Sequence, residues 1–390
     1  MRLLIAGGGT GGHIYPALAV ARSLRAAEAR DGGAPELSWI GGRRGLEATL
    51  VPPAGIPLHR LVLRSLRTVD RSVHTIADPV RLVASVPQAA AILARERPAA
   101  IFTTGGYVAV PVLMAAAPLR IPVVLWDGNV IPGRAVRLTA RLADVVTVSF
   151  EATCAALAAT IGDRPCFVTG TPIRDIQAID REAARVELDV AAGDRVMLIF
   201  GGSQAVRRFN AAVAGALPKL VERAVVIHVA GTDGYAAALA GREALPEALR
   251  GRYRPYPFLR EEMLAALAAA DLVVGRAGSS TLAEATAFGL PLVVVPYPHA
   301  GGHQRANARE LVEAGAARLI EDDAFDAAAL LDVATLLEDA HAHLAMSAAA
   351  RALGRPGAAD AVARLVLAVA ERQPLPDADT IERLSRGLAA

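Results

Sequence analysis

Lysine and cysteine are scarce in this chain of 390 residues, and each scarcity excludes a class of protein. Lys219 is the single lysine, and it lies in the polar stripe of a predicted helix. A P-loop NTPase needs a lysine inside its glycine-rich loop, and a Schiff-base enzyme needs one in a pocket. The sequence therefore excludes both classes.

The two cysteines, Cys154 and Cys166, are too few for a disulfide framework and lie beside no histidine at ligand spacing, so we expect a reducing cytoplasm. The 41 basic and 39 acidic residues nearly cancel, which argues against a nucleic-acid partner. The first residues run into glycine, and the longest apolar stretch, 107–119, is broken by two prolines. It is shorter than the ~20 residues that span a bilayer, so we expect neither a signal segment nor a transmembrane helix.

The remaining sequence alternates apolar strands with helices. Residues 2–6 form a predicted strand, followed by a glycine loop and a helix from Pro16, and the unit recurs at 195–200 with its helix at 207–220. Such repetition predicts two consecutive Rossmann-like α/β domains with parallel sheets. The further predicted strands are 36–40, 99–103, 122–126, 145–148, 225–230, 253–258, 272–275, 292–295 and 317–320.

The turn around Thr171 is the expected boundary between these domains. We expect an N-terminal domain over 1–171, a C-terminal domain over 172–356, a helix over 357–373 and an appended tail over 374–390.

The first glycine loop, Gly7 to Gly12, formally matches the dinucleotide fingerprint. The fingerprint also requires a carboxylate at the end of the second strand to hold a ribose, and here that strand ends Gly41-Gly42, which argues against a dehydrogenase. His13 follows the loop at the mouth of the helix. It is either a polar helix cap or a neutral histidine that accepts a proton.

Three loops in the second half suit a nucleotide diphosphate. The turn 201–204 ends in Ser203 and Gln204, which either contact a diphosphate or cap the helix. In the segment 275–284, Glu284 is either the reciprocal partner of Thr281 in a capping box or a ligand of ribose hydroxyls. Gln304 suits a sugar hydroxyl, and Arg174 a leaving phosphate.

No metal or cofactor is implied by these loops. The one Asp-x-Asp sequence, 377–379, falls in the predicted tail, where we interpret it as solvated surface.

The loops resemble one family, the MurG-type N-acetylglucosaminyltransferases that make lipid II for peptidoglycan, the bacterial cell wall on which cell shape and division depend. The likeness covers roughly residues 1 to 370, and six motifs occur in the family's order: 8–13, 105–108, 171–174, 201–204, 276–284 and 303–308. The family commonly reads His-Glu-Gln-Asn after the strand that here runs into Trp126-Asp127-Gly128-Asn129, and it usually has a glycine where this chain has Ala205.

The resemblance implies the GT-B fold, in which two Rossmann-like parallel-sheet domains face each other across a cleft and the helix over 357–373 crosses back to the N-terminal domain. It implies metal-independent, inverting transfer of N-acetylglucosamine from its UDP conjugate to the C4 hydroxyl of lipid I, undecaprenyl-diphospho-N-acetylmuramoyl-pentapeptide. His13 is the first candidate for the base and Asp127 the second, and Tyr107 would serve the acceptor. The donor would contact Thr10, Gly11, Gly12, Asn129, Arg174, Ser203, Gln204, Leu259, Met263, Ser279, Ser280, Thr281, Glu284, His303 and Gln304.

A lipid acceptor implies a membrane-facing surface. The segment 60–97 carries seven arginines among apolar residues, a composition that binds anionic phospholipid unless it is an ordinary solvated helix pair. We therefore expect a peripheral protein at the cytoplasmic face of the cell membrane, with cell-wall synthesis proteins as further partners. The alternatives are a UDP-N-acetylglucosamine 2-epimerase and a non-catalytic paralogue that binds a nucleotide sugar.

Overall fold

A computed structural model describes residues 1–28, 33–43, 45–63, 74–202, 206–260 and 262–388. The chain divides into two compact units. Unit 1 contains Met1–Asp175 and Arg355–Ala390, and unit 2 contains Ile176–Gly354.

The first part of unit 1 alternates strands and helices. Its strands are β1 (Arg2–Ala6), β2 (Glu36–Gly41), β3 (Leu58–Arg60), β4 (Ala100–Thr103), β5 (Val123–Asp127), β6 (Val145–Val148) and β7 (Cys166–Val168). Its helices are α1 (Gly11–Glu28), α2 (Glu47–Leu50), α3 (His74–Glu96), α4 (Gly106–Leu119), α5 (Arg134–Thr139) and α6 (Glu151–Ile161).

The seven strands of unit 1 form one parallel sheet in the order β3-β2-β1-β4-β5-β6-β7. Ile5 of β1 pairs with Trp39 of β2 on one side and with Phe102 of β4 on the other. Apolar side chains cover both faces of this sheet, which is why its central strands are continuous hydrophobic runs. The strand order reverses between β1 and β4, and α/β sheets bind their ligands at this switch point.

Unit 2 repeats the plan with a parallel sheet of six strands in the order β10-β9-β8-β11-β12-β13. Its strands are β8 (Val196–Phe200), β9 (Val225–Val229), β10 (Tyr253–Tyr256), β11 (Leu272–Gly275), β12 (Leu292–Val294) and β13 (Ala317–Leu319). Its helices are α7 (Arg181–Glu187), α8 (Val206–Arg223), α9 (Gly231–Glu243), α10 (Glu247–Arg250), α11 (Glu262–Ala269), α12 (Ser279–Ala287), α13 (His303–Glu313), α14 (Ala327–Ala334) and α15 (Ala340–Leu353). The order reverses between β8 and β11.

The last residues of the chain return to unit 1 as α16 (Ala358–Ala370) and α17 (Ala378–Ser385). The apolar face of α16 joins the same core cluster as Ile5 and Ile14. The segment 374–390 is therefore more than an appended tail. Asp377, interpreted above as solvated surface, caps α17 by accepting a hydrogen bond from the Thr380 backbone N–H at 2.7 Å, and Ile381 is buried.

Two features depart from the sequence-based expectations. The edge strands β3 and β7, of three residues each, are absent from the predicted strands, whereas β12 and β13 have the same length and are among them. Helix α1 begins at Gly11, before Pro16, which places His13 in its first turn.

Cys154 of α6 and Cys166 of β7 form a disulfide, with their Cα atoms 5.9 Å apart. Sequence spacing alone does not predict this bridge, because it arises where α6 turns back into β7. A single bridge is still too few for a disulfide framework.

Within the described ranges, no helix combines the length and apolar character required to cross a membrane.

Candidate active site

His13 stands in the first turn of α1, directly after the glycine loop that follows β1. Its ring Nδ1 lies 2.8 Å from the backbone carbonyl oxygen of Thr104, at the end of β4. A carbonyl can only accept a hydrogen bond, so Nδ1 carries the proton and Nε2 keeps its lone pair. The fold thus selects the tautomer in which Nε2 accepts a proton.

The loop after β4 shapes the space around this ring. Gly105 and Gly106 both adopt positive φ values, of 75° and 72°, a region that side chains disfavour. A Cβ atom on Gly106 would stand 3.5 Å from Nε2 of His13. Glycine therefore lets the Thr104 carbonyl reach Nδ1 while the backbone passes close to Nε2.

Asp127, the second candidate base, is the last residue of β5 and is 3% exposed. Its Oδ1 accepts hydrogen bonds from the backbone N–H of Asn129 at 3.2 Å and from its amide Nδ2 at 3.4 Å. Burial raises the pKa of Asp127, and the Asn129 hydrogen bonds and the nearby charge of His13 oppose this rise. Because Nδ1 of His13 donates to Thr104, the two residues do not form a carboxylate–imidazole dyad through Nδ1.

The other predicted residues of unit 1 lie around the same loops. Thr10 and Gly12 are exposed beside His13, Gly11 is half-buried, and Tyr107 follows Gly106 in α4. Arg174 is half-buried and belongs to unit 1, not to the C-terminal domain assigned from the sequence.

In unit 2, the loop after β11 leads into α12, whose N-cap residue is Gly278. The backbone N–H groups of Ser279, Ser280 and Thr281 lie in the first turn, where helical N–H groups have no partner within the helix and attract anions. Thr281 is inside the helix rather than at its cap, so the capping-box interpretation of Glu284 is wrong. Glu284 is half-buried one turn further along.

Arg276, in the same loop, is a buried cation that the sequence did not single out. Its Nη1 donates to the carbonyl oxygen of Val295 at 3.0 Å and to Oδ1 of Asp322 at 2.6 Å. The guanidinium also lies 4.9 Å from the ring centre of Phe209 and 5.4 Å from that of Tyr297. Arg276 therefore ties the loop after β11 to the loop after β12.

The loop after β12 ends at α13, where His303 is the first helical residue. Gln304 accepts a hydrogen bond at its Oε1 from the Tyr297 backbone N–H, at 2.9 Å, so its carbonyl oxygen holds the loop. Leu259 is buried after β10, and Met263 is half-buried in α11. Ser203 and Gln204 lie outside the described residues, although β8 leads directly towards them.

Comparison with known proteins agrees with this arrangement. Residues 3–148 match the model of the glycosyltransferase family 28 N-terminal domain, and residues 196–365 match that of the family 28 C-terminal domain.

Curated relatives match along nearly the full length. A UDP-N-acetylglucosamine--N-acetylmuramyl-(pentapeptide) pyrophosphoryl-undecaprenol N-acetylglucosamine transferase of Moorella thermoacetica is 39% identical, over 95% of this chain and 100% of its own. A relative of the same name from Alkalilimnicola ehrlichii is 40% identical, over 94% and 98%.

Solved structures give the same result. The crystal structure of MurG from Acinetobacter baumannii is 28% identical with a TM-score of 0.73, and the match covers 94% of this chain and 99% of that one. A putative UDP-N-acetylglucosamine 2-epimerase from Listeria monocytogenes has a TM-score of 0.70 at 17% identity, with 96% and 98% covered, which is a likeness of fold. The fold, the two family 28 matches and the full-length relatives agree. The chain belongs to the MurG-type N-acetylglucosaminyltransferases of glycosyltransferase family 28.

Proposed function

We propose that the chain transfers N-acetylglucosamine from UDP-N-acetylglucosamine to the C4 hydroxyl of lipid I, with inversion, to give lipid II. The observation that carries this proposal is the match along both domains to relatives named for this transfer. In the reaction a bond forms between the C4 oxygen and the sugar C1, the bond from C1 to the UDP phosphate breaks, and the C4 hydroxyl loses its proton.

His13 takes that proton in our proposal. Nε2 carries a lone pair because Nδ1 donates to the Thr104 carbonyl, and the ring is only half-buried, so that an acceptor hydroxyl can reach it. Asp127 is almost fully buried, which makes it a poorer partner for a bulky lipid-linked sugar. Its charge instead stabilises the imidazolium that forms when His13 accepts the proton, with Asn129 holding the carboxylate in place.

Unit 2 holds the donor in this proposal. The first turn of α12 offers N–H groups to the diphosphate of the leaving UDP, and Glu284 accepts from ribose hydroxyls. Leu259 and Met263 offer apolar contact to the uracil, while His303 and Gln304 face the sugar from the start of α13. Ser203, Gln204 and Arg174 complete the proposed phosphate contacts, and Thr10, Gly11, Gly12 and Asn129 meet the transferred sugar, with Tyr107 on the acceptor side.

We further propose peripheral binding at the cytoplasmic face of the membrane, through the segment 60–97. Within its described part, Val80 and Val83 of α3 are 66% and 70% exposed, and Arg81 stands between them in sequence. Apolar side chains beside arginine insert shallowly into anionic lipid surfaces. Arg64, Arg67 and Arg71 of the same segment lie outside the described residues.

The test of the transferase is incubation with UDP-N-acetylglucosamine and a short-chain lipid I analogue, with products followed by mass spectrometry. We expect a disaccharide product and stoichiometric UDP. Epimerisation or hydrolysis of the nucleotide sugar without acceptor would favour the epimerase instead, and absence of any turnover alongside UDP binding would favour a binding protein.

A further inference from the structure

Glu47, at the start of α2, carries a carboxylate with 0% exposure in unit 1. Its Oε2 accepts a hydrogen bond from the Gly9 backbone N–H at 2.9 Å, and its Oε1 accepts one from the Gly42 backbone N–H at 2.8 Å. One side chain thereby connects the loop after β1 to the loop after β2. A buried carboxylate is costly unless such hydrogen bonds compensate it, so this contact is a specific feature of the fold.

Glycines lie so close to this carboxylate that a side chain at their positions would collide with Glu47. A Cβ atom added to Gly8 would stand 2.6 Å from Oε1 of Glu47, and one added to Gly41 would stand 2.7 Å from its Cγ. In the structure, Gly8 makes room for Glu47.

Tyr107 packs on the same group. A Cβ atom on Gly9 would lie 3.1 Å from Cε1 of Tyr107, and one on Gly42 would lie 2.5 Å from its hydroxyl oxygen. Burial raises the pKa of the Tyr107 phenol, and the adjacent negative charge of Glu47 raises it further. Glu47, the loop from Gly8 to Gly9, Gly42 and Tyr107 therefore form one packed group, which we call the Glu47 cluster.

The position of Glu47 suggests a comparison with the ribose-binding carboxylate of dinucleotide folds, which also follows the second strand. Both oxygens of Glu47 accept from backbone N–H groups, and the side chain has no exposed surface. It therefore cannot bind ribose hydroxyls or exchange a proton with a substrate. What it does is fix the backbone four residues before His13.

We propose that Glu47 is a positioning residue for glycosyl transfer: its carboxylate sets the glycine loop and Tyr107 so that His13 and the N-terminus of α1 meet the transferred sugar and the acceptor. This proposal rests on the function proposed above for that loop. Apart from Arg174, the contacts proposed for the UDP part of the donor lie in unit 2, so the role of Glu47 lies in turnover and not in UDP binding.

The test compares Glu47→Gln with the native chain. Glutamine has the same size, but its amide nitrogen cannot accept the N–H of Gly9 or Gly42. We expect kcat to fall about tenfold or more, as is typical when reacting groups are misplaced, with the Kd for UDP unchanged within twofold. Glu36→Gln, at an exposed glutamate on β2, is the matched control and keeps native kcat.

Three further measurements separate positioning from other roles. Glu47→Asp keeps the charge on a shorter side chain and is expected to recover part of kcat. Gly41→Ala displaces the intact carboxylate and is expected to lower kcat in the same way. The pH dependence of kcat keeps its acid limb in Glu47→Gln, because Glu47 is not the base.

Two results would overturn the inference. Native kcat in both Glu47→Gln and Gly41→Ala would show that the cluster does not position the loop, and loss of the acid limb would make Glu47 a base. Failure of the native chain to form the disaccharide would instead count against the proposed function. In that case, amide exchange still tests the cluster, because residues 7–12 must exchange faster in Glu47→Gln than in the native chain.

Discussion

The two units begin with the same local plan, a buried strand followed by glycines and a helix. They differ in that a buried carboxylate contacts strand-end loops in unit 1 and a buried guanidinium contacts strand-end loops in unit 2. In unit 1 the carboxylate of Glu47 accepts from the N–H groups of Gly9 and Gly42. In unit 2 the guanidinium of Arg276 donates to the carbonyl oxygens of Val295 and Pro296.

This difference indicates which ligand each loop can take. An anion beneath the first loop occupies N–H groups and repels a diphosphate, although the loop matches the dinucleotide fingerprint. In unit 2 the buried cation binds carbonyl oxygens and the carboxylate of Asp322. The N–H groups in the first turn of α12 have no partner within the helix, as phosphate binding requires. The buried charge thus separates the acceptor and base chemistry proposed for unit 1 from the phosphate chemistry proposed for unit 2.

The largest effect is expected for a variant of His13, the proposed base in unit 1. His13→Ala removes Nε2 and is expected to lower kcat by about 10³-fold, the usual contribution of a general base. The Kd for UDP should stay unchanged, since His13 is not among the contacts proposed for UDP. Single-turnover kinetics and UDP titration measure both quantities, and retention of full turnover would transfer the role of base to Asp127.

The second prediction concerns the buried cation of unit 2. Arg276→Met keeps an unbranched apolar side chain but removes the ion pair with Asp322, which is left with Arg208 alone. The variant is expected to cost about 3 kcal/mol of unfolding free energy. Arg305→Met, which breaks the exposed ion pair with Glu321, is the control and should cost under about 1 kcal/mol. Urea unfolding compares the two variants. Equal losses of unfolding free energy would mean that the burial of Arg276 adds nothing to its contribution to stability.

A third effect is the acid sensitivity of unit 2. Burial lowers the pKa of His228 from 6.5 to about 4, so the folded state disfavours its proton. The stability associated with neutral His228 is present above pH 6.5 and is lost as the pH falls towards 4, by up to about 3 kcal/mol. His228→Gln should flatten this part of the stability profile, and an unchanged slope would assign the acid sensitivity to other groups.

The smallest effect is expected for Asp127 in unit 1, where stability changes with pH in the opposite direction from that of His228. Burial raises the pKa of Asp127, so stability is lost as the pH rises from 3.8 through the raised pKa. Asp127→Asn keeps an oxygen that accepts from Asn129 and should raise the melting temperature at pH 7 but not below pH 3.8. A lower melting temperature at pH 7 would mean that the charge of Asp127 stabilises the fold.

Much of the fold was predictable because its signals are local. Each central strand is a largely apolar run of three to six residues, and such runs mark buried parallel strands without any knowledge of their partners. Edge strands β3 and β7 were not predicted; each has three residues, and none of these residues is buried. Helix α17 was not predicted, because its sequence is terminal, flanked by prolines and largely polar. Only its packing against α16 shows that one face is buried.

The two Rossmann-like domains, the polar loops and the family could be predicted from the sequence. Strand patterns and short motifs depend only on residues that are neighbours in the chain. Tertiary structure alone decided the tautomer of His13, set by a carbonyl 91 residues away, and the partners of Glu47, one of them 38 residues away. It also decided that Thr281 lies within α12 and that Arg276 is buried. Hydrogen bonds and burial depend on atoms that the fold brings together from distant parts of the chain. The local sequence pattern does not show which distant residues become neighbours.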